Sequence, residues 1–192
     1  MVRAVVFCED MGHEQVVCPL VRRVAGDLAV EVSITVRSAQ GGAGRALFAL
    51  ERYMRDIDQG CEARPDLLVV AVDANCFGRS KRRQQVQGCL AGTEVATAMA
   101  IPDPHVERWL LVDGKAFKSV LGVGCKAPDQ KCEKDRYKEQ LRTAVREAGV
   151  EPLLGGLEHA EAIVAALDLQ YAAANDTSLE HFIRDLRAGL QP

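Results

Sequence analysis

The stretch "LLVVAVD", Leu67 to Asp73, is six apolar residues in a row closed by an acid. It is too short for a helix and rich in β-branched valine, so it reads as a strand buried on both faces. Such strands occur in parallel sheets covered by helices, and the flanking sequence supplies them. Val2 to Cys8 is a second apolar strand, closed by Glu9 and Asp10, and an amphipathic helix follows from His13 to Val24. "LAVEVSITVR", Leu28 to Arg37, alternates and is β-branched, giving another strand. A glycine-rich turn, "AQGGAGR", leads into a helix from Arg45 to Asp58 with Leu47, Leu50, Met54 and Ile57 on one face.

Beyond Asp73, a basic helix opens at Arg79 and runs to Gly88, a fourth strand spans Glu94 to Asp103, and "HVERWLLVD" starts another helix. Strands alternating with helices imply right-handed crossovers and a mostly parallel, doubly wound α/β sheet. From about residue 123 the pattern turns helical, with helices expected over 132–148, 157–166 and 178–190, the last capped by "NDTS". The division expected is an α/β domain over 1–122 and a helical extension over 123–192 packed on it. Trp109, the only tryptophan, is expected to pack its helix onto the sheet.

With 192 residues, 48% of them hydrophobic, the chain can bury a sizeable core. No apolar run approaches the roughly 18 residues of a membrane span, and the N-terminus lacks the pattern of a secretory signal. A cytoplasmic protein with no membrane contact is expected. The net charge of −3 gives no whole-molecule attraction to nucleic acid, although "RSKRR", Arg79 to Arg83, is a local basic run. The seven cysteines are an odd, scattered set, unlike a secreted disulfide framework. Cys8, Cys18, Cys61 and Cys89 read as buried thiols, while Cys125 and Cys132 could pair or share a metal.

In open α/β sheets ligands bind beyond the carboxyl ends of the strands. Here those ends carry Glu9 and Asp10, then Asp73 and Asn75, then Asp103 with Glu107 close behind, and Glu14 sits in the first turn after strand one. Oxygen donors without a matching His/Cys set suit Mg²⁺ or Mn²⁺, which polarises phosphate and generates hydroxide. An acid in the first helical turn is also favoured by the helix dipole alone. His13, at the helix start, reads as a surface residue. "GGAGR" could cradle a phosphate on backbone N–H groups through Gly42 and Gly44 with Arg45 beside them, or be a plain turn. Arg79, Lys81 and Arg82 are the corresponding candidates in the basic run.

Taken together, "CED" with "VDAN", "GGAGR", "PHVERWLLVD" (Pro104 to Asp113) and "DRYK" (Asp135 to Lys138) resemble the TOPRIM family. TOPRIM domains are the Mg²⁺-binding α/β modules of topoisomerases and primases. The closer likeness is to small TOPRIM-like nuclease proteins encoded beside ABC-type ATPases in phage-defence operons, and it spans nearly the whole chain. The resemblance implies a TOPRIM-like sheet and a Mg²⁺- or Mn²⁺-dependent nuclease acting on DNA or RNA. Glu9 would be metal ligand or general base, Asp73 the main ligand, and Asn75, Glu107 and Glu14 supporting ligands. Lys138 would contact phosphate or the leaving oxygen. An ABC-type ATPase is the protein partner implied, and a homo-oligomer is compatible. Asn75 stands where the family pattern has an acid. That departure keeps open a non-catalytic interaction or sensor protein on the same fold, and "GGAGR" keeps open a nucleotide-binding enzyme.

Overall fold

A computed structural model describes residues 1–191. Four strands, β1 (Val2–Cys8), β2 (Val32–Ser38), β3 (Leu67–Ala71) and β4 (Ala96–Ala100), form one sheet in the order β2-β1-β3-β4. Every neighbouring pair is parallel. β1 and β3 are central, which explains their unbroken apolar runs. β2 lies at an edge, and its alternation of half-buried and exposed residues follows from having one covered face.

The period of two along each strand sorts the side chains between two cores. Ala4, Val6, Cys8, Leu67, Val69 and Ala71 point to one face, into the larger core. Phe7, Leu68, Val70 and Val72 point to the other. The second face is covered by α2 (Ala43–Asp58) and α3 (Arg79–Cys89), through Leu50, Met54, Ile57 and Val86. The first is covered by α1 (Met11–Asp27) and by helices from far along the chain. These are α4 (Glu107–Leu111), α5 (Gly114–Leu121), α6 (Arg136–Glu147), α7 (Ala160–Ala166), α8 (Leu169–Asn175) and α9 (Thr177–Leu190). The result is the doubly wound α/β architecture expected from the strand and helix pattern, and it is consistent with the TOPRIM-like sheet that the resemblance implies.

The C-terminal helices share the larger core with the sheet. Phe182 of α9 stacks on Trp109 at 5.5 Å, and Trp109 Nε1 donates to Ser178 Oγ at 2.9 Å. A β-carbon added to Gly189 would lie 2.6 Å from Leu67 Cδ1, so α9 comes close enough to β3 that a larger residue there would make the Leu67 side chain shift. Arg108 forms a buried ion pair with Asp176, the residue that caps α9.

Some boundaries differ from the sequence reading. β2 begins at Val32 rather than Leu28, because α1 continues to Asp27 and the next residues close it: Leu28 N donates to Val24 O and Val30 N to Ala25 O. α5 and α8 were not expected as separate helices. Each opens at an aspartate, Asp113 and Asp168, whose side chain accepts from the backbone of the first turn. Cys132 pairs with Cys76, not with Cys125, whose thiol donates instead to Leu111 O at 3.6 Å. Cys8 and Cys18 are buried thiols, Cys89 is half-buried, and Cys61 is exposed because it falls in the loop after α2. Among the described residues no helix is long and apolar enough to cross a membrane.

Candidate active site

The strand order reverses its winding between β1 and β3, and their carboxyl ends open side by side at that switch point. Glu9 leaves β1 there and Asp73 leaves β3. The two are joined directly: Asp73 N donates to Glu9 Oε2 at 3.1 Å. Both residues are buried, each 9% exposed.

Asp73 is the hub. Its Oδ1 faces His13 Nε2 at 3.0 Å and accepts from Val106 N at 3.0 Å, while its Oδ2 faces His105 Nδ1 at 3.0 Å. Behind it, Arg82 Nε donates to the Asp73 carbonyl at 2.8 Å. His13 is 1% exposed and its other ring nitrogen lies 2.8 Å from Asp10 Oδ1. It is therefore not the surface residue that its place at a helix start implied. Burial opposes its charge, but Asp73 and Asp10 outweigh that and raise its pKa to about 10. The same hydrogen bond holds Asp10 down at about 2. Asp73 also stays below the ordinary carboxylate range, because His13 and His105 overcome its desolvation. Its hydrogen bond to Asp73 raises His105 in turn.

Two glutamates behave in the opposite way. Burial pushes Glu107 upward, with the charge of Asp73 adding to it, and burial does the same to Glu9. Glu107 is 3% exposed, and its Oε2 has no hydrogen-bond partner among the described residues. It lines a cleft of about 370 Å³ together with Asp10, Gly12, Lys138, Arg142 and Leu157. The ammonium of Lys138, carried by α6, acts on Glu107, Asp10 and His105 across this cleft.

The expected residues thus divide. Glu9, Asp73, Glu107 and Lys138 come together. Asn75 sits at the edge in a left-handed backbone conformation, φ 50°, with its N–H on Pro104 O, and its side chain makes no hydrogen bond among the described residues. Glu14 projects its charge onto the Cys8 and Cys18 thiols rather than heading the cluster. Arg82 is 4% exposed and spent on the Asp73 carbonyl and Gln85, so it is a support and not a surface contact for phosphate. Lys81 is exposed. Arg79 borders a different pocket, of about 290 Å³, with Asp103, Arg108 and Asp176.

The glycine loop meets the site at one point. Gly42, at φ 84°, would bring a β-carbon to 4.0 Å from Glu9 Oε1, and Arg45 folds back over Gly41, where a β-carbon would lie 2.4 Å from its Cδ. Gly44, in the first turn of α2, faces open space. His105 was not singled out from the sequence. The available signal was its place two residues before Glu107 in "PHVE", matching His13 one residue before Glu14 in "GHE".

Among the described residues no three His, Cys, Asp or Glu side chains stand close enough to enclose a metal ion by themselves. The carboxylate oxygens left over are of the kind that would suit a hard cation keeping most of its water, as Mg²⁺ does when bound through one or two carboxylates. Glu107 supplies a buried oxygen lacking a partner, Glu9 retains Oε1, and Asp73 Oδ2 accepts only one hydrogen bond. No family model matches the chain, and neither does any curated protein or solved structure.

Proposed function

We propose that this chain is a Mg²⁺- or Mn²⁺-dependent phosphodiester hydrolase of TOPRIM type acting on nucleic acid. The observation that carries the reading is Glu107. It is a buried carboxylate with an oxygen unpartnered in the protein, facing a cleft that also holds Lys138, with Asp73 near enough to raise its pKa. A buried acid repelled by a second acid is stabilised by a cation between them.

Glu9 and Glu107 would hold the cation, with Asp73 Oδ2 as a third oxygen. Bound there, it would polarise the phosphodiester and lower the pKa of a water for attack. The chain's own groups do the rest. His13 and His105 clamp the Asp73 carboxylate in one orientation from two sides. Lys138 offers an ammonium to the phosphate or to the departing oxygen. Leu154 and Leu157 form an apolar part of the cleft wall.

A second reading has its own observation. His13, charged between Asp10 and Asp73, already neutralises two of the carboxylates from within. That arrangement favours a sensor or interaction protein that needs no cation. Service as the effector of an anti-phage system, with an ABC-type ATPase partner, rests on the family resemblance alone.

Calorimetric titration with Mg²⁺ and Mn²⁺ of the wild type, Glu9→Gln and Glu107→Gln separates the two readings, alongside cleavage assays on single- and double-stranded DNA and RNA. The hydrolase requires cation binding that weakens in both variants and cleavage that vanishes with it. A folded wild type that binds neither cation overturns it in favour of the interaction protein.

A further inference from the structure

We infer that the outer face of α3 and α2 is a track for single-stranded nucleic acid, on which unpaired bases stack against Phe77 and Phe48. The inference rests on the hydrolase reading, because it names the substrate class of that same site.

Two large aromatic rings stand out in solvent on this face. Phe48 is 65% exposed and Phe77 is 62% exposed, far beyond what a phenylalanine in a core-forming helix requires. Both sit among cations. α3 reads "RSKRRQQVQGC", with four basic residues and no acid, in a chain whose net charge is −3. With Arg82 buried and Arg79 half-buried in the pocket it shares with Asp103 and Arg108, exposed Lys81 and half-buried Arg83 carry the charge of its outer surface. On α2 the outward stripe at i, i+3, i+7 and i+10 is Arg45, Phe48, Arg52 and Arg55, all exposed and none acidic. Arg52 of this stripe pairs with Asp56 at 4.0 Å, and Glu51 lies beside the stripe with its Oε1 3.7 Å from Cys89 Sγ.

The two rings mark the ends of one surface. Phe77 is separated from the start of α3 by Gly78 alone, and the other end of α3 meets α2 where Cys89 Sγ lies 3.8 Å from Leu47 O, one residue before Phe48. Eleven helical residues span roughly 16 Å, long enough for several nucleotides of an extended strand. The track also leads to the site. The Arg82 guanidinium lies 5.5 Å from the centre of the Phe77 ring, and its Nε holds the Asp73 carbonyl at 2.8 Å. One buried side chain therefore links the stacking ring to the backbone that carries the central carboxylate.

Basic residues interleaved with exposed aromatics recognise single strands, because every unpaired base offers a face to stack while its phosphate meets a cation. A paired duplex offers its bases to neither ring. A protein partner of acidic character would use the cations but would not discriminate between strandedness, and it is the competing outcome.

The test is fluorescence anisotropy with labelled oligothymidylate, oligouridylate and a mixed-sequence duplex, all in EDTA so that no cation-dependent cleavage enters the readout. Both single strands should bind more tightly than the duplex, with affinity falling as salt rises from about 50 to about 200 mM. Phe77→Ala and Phe48→Ala should each weaken single-strand binding by about ten-fold. Lys81→Ala should lower the salt slope by about one. Equal binding of duplex and single strands, or wild-type affinity in both phenylalanine variants, overturns the track and assigns the face to a protein partner. Single-strand binding that persists in a protein without Mn²⁺-dependent cleavage supports the track while removing the hydrolase reading, so the two can fail separately.

Discussion

His13 Nε2 and Asp73 Oδ1 face each other at 3.0 Å across the switch point of the sheet, joining α1 to the end of β3 inside the protein. With Asp10 on the other ring nitrogen, the imidazole is held as a cation, its pKa raised to about 10. The folded state then binds a proton that the unfolded chain releases near pH 6.5. Stability from this group is fully present below about pH 6.5 and is lost as pH rises toward 10. Denaturant unfolding in EDTA should show wild type losing several kcal/mol across that window. His13→Gln, less stable at pH 6, should lose much less over the same range, and a parallel decline in both proteins would refute the assignment.

Glu107→Gln exchanges a repelled buried carboxylate for a neutral side chain of the same shape. Without cation it should stabilise the fold by about 1 kcal/mol, raising the melting temperature by about 2–4 °C. With excess Mn²⁺ the order should invert, because only wild type gains from binding. Thermal melts with and without the ion read both effects.

The Cys76–Cys132 bridge closes a loop across a sequence separation of 56. Chain entropy alone puts its contribution near 4 kcal/mol, and native bridges typically return about 2–4. Cys132→Ser should lower the unfolding free energy by that amount under oxidising conditions. Dithiothreitol should bring wild type down to the variant and leave the variant where it was.

Arg82→Met removes the donor to the Asp73 carbonyl and the cation beneath Phe77, keeping most of the buried volume. An unsatisfied buried carbonyl costs about 1–3 kcal/mol. The loss should appear as a lower unfolding midpoint, together with weakened Mn²⁺ affinity as Asp73 loosens. A variant with the midpoint and affinity of wild type would show that Arg82 supports neither.

What the sequence reveals depends on how local each signal is. β1 and β3 are legible because a strand covered on both sides must be apolar throughout, and the acids that end them announce the site. Glu9 and Asp73 were readable for that reason, whereas Glu107 follows β4 at the start of α4 and was read from its place behind Asp103. The helices α5 and α8 are short, and α5 follows α4 after only Val112 and Asp113, so no independent periodicity separates them. His13 was misread because its burial is decided by Asp73, a residue 60 positions away, and not by its own helical turn. The Cys76 partnership is hidden in the same way: nothing near Cys132 in the chain distinguishes Cys76 from Cys125 as its mate.

The close seat of α9 against β3, at Gly189 over Leu67, also sets an order of events during synthesis. All four strands are synthesised by residue 100, yet the helix that completes their larger core is not made until residues 177–190. Until then the part of that face seated under α9, at Ala98 of β4 and the Leu67 side chain, lies open, while α1 is already available to cover the rest. The nascent chain must hold that face out of reach of its neighbours, and a chaperone that binds extended apolar segments would find its longest-lived target there.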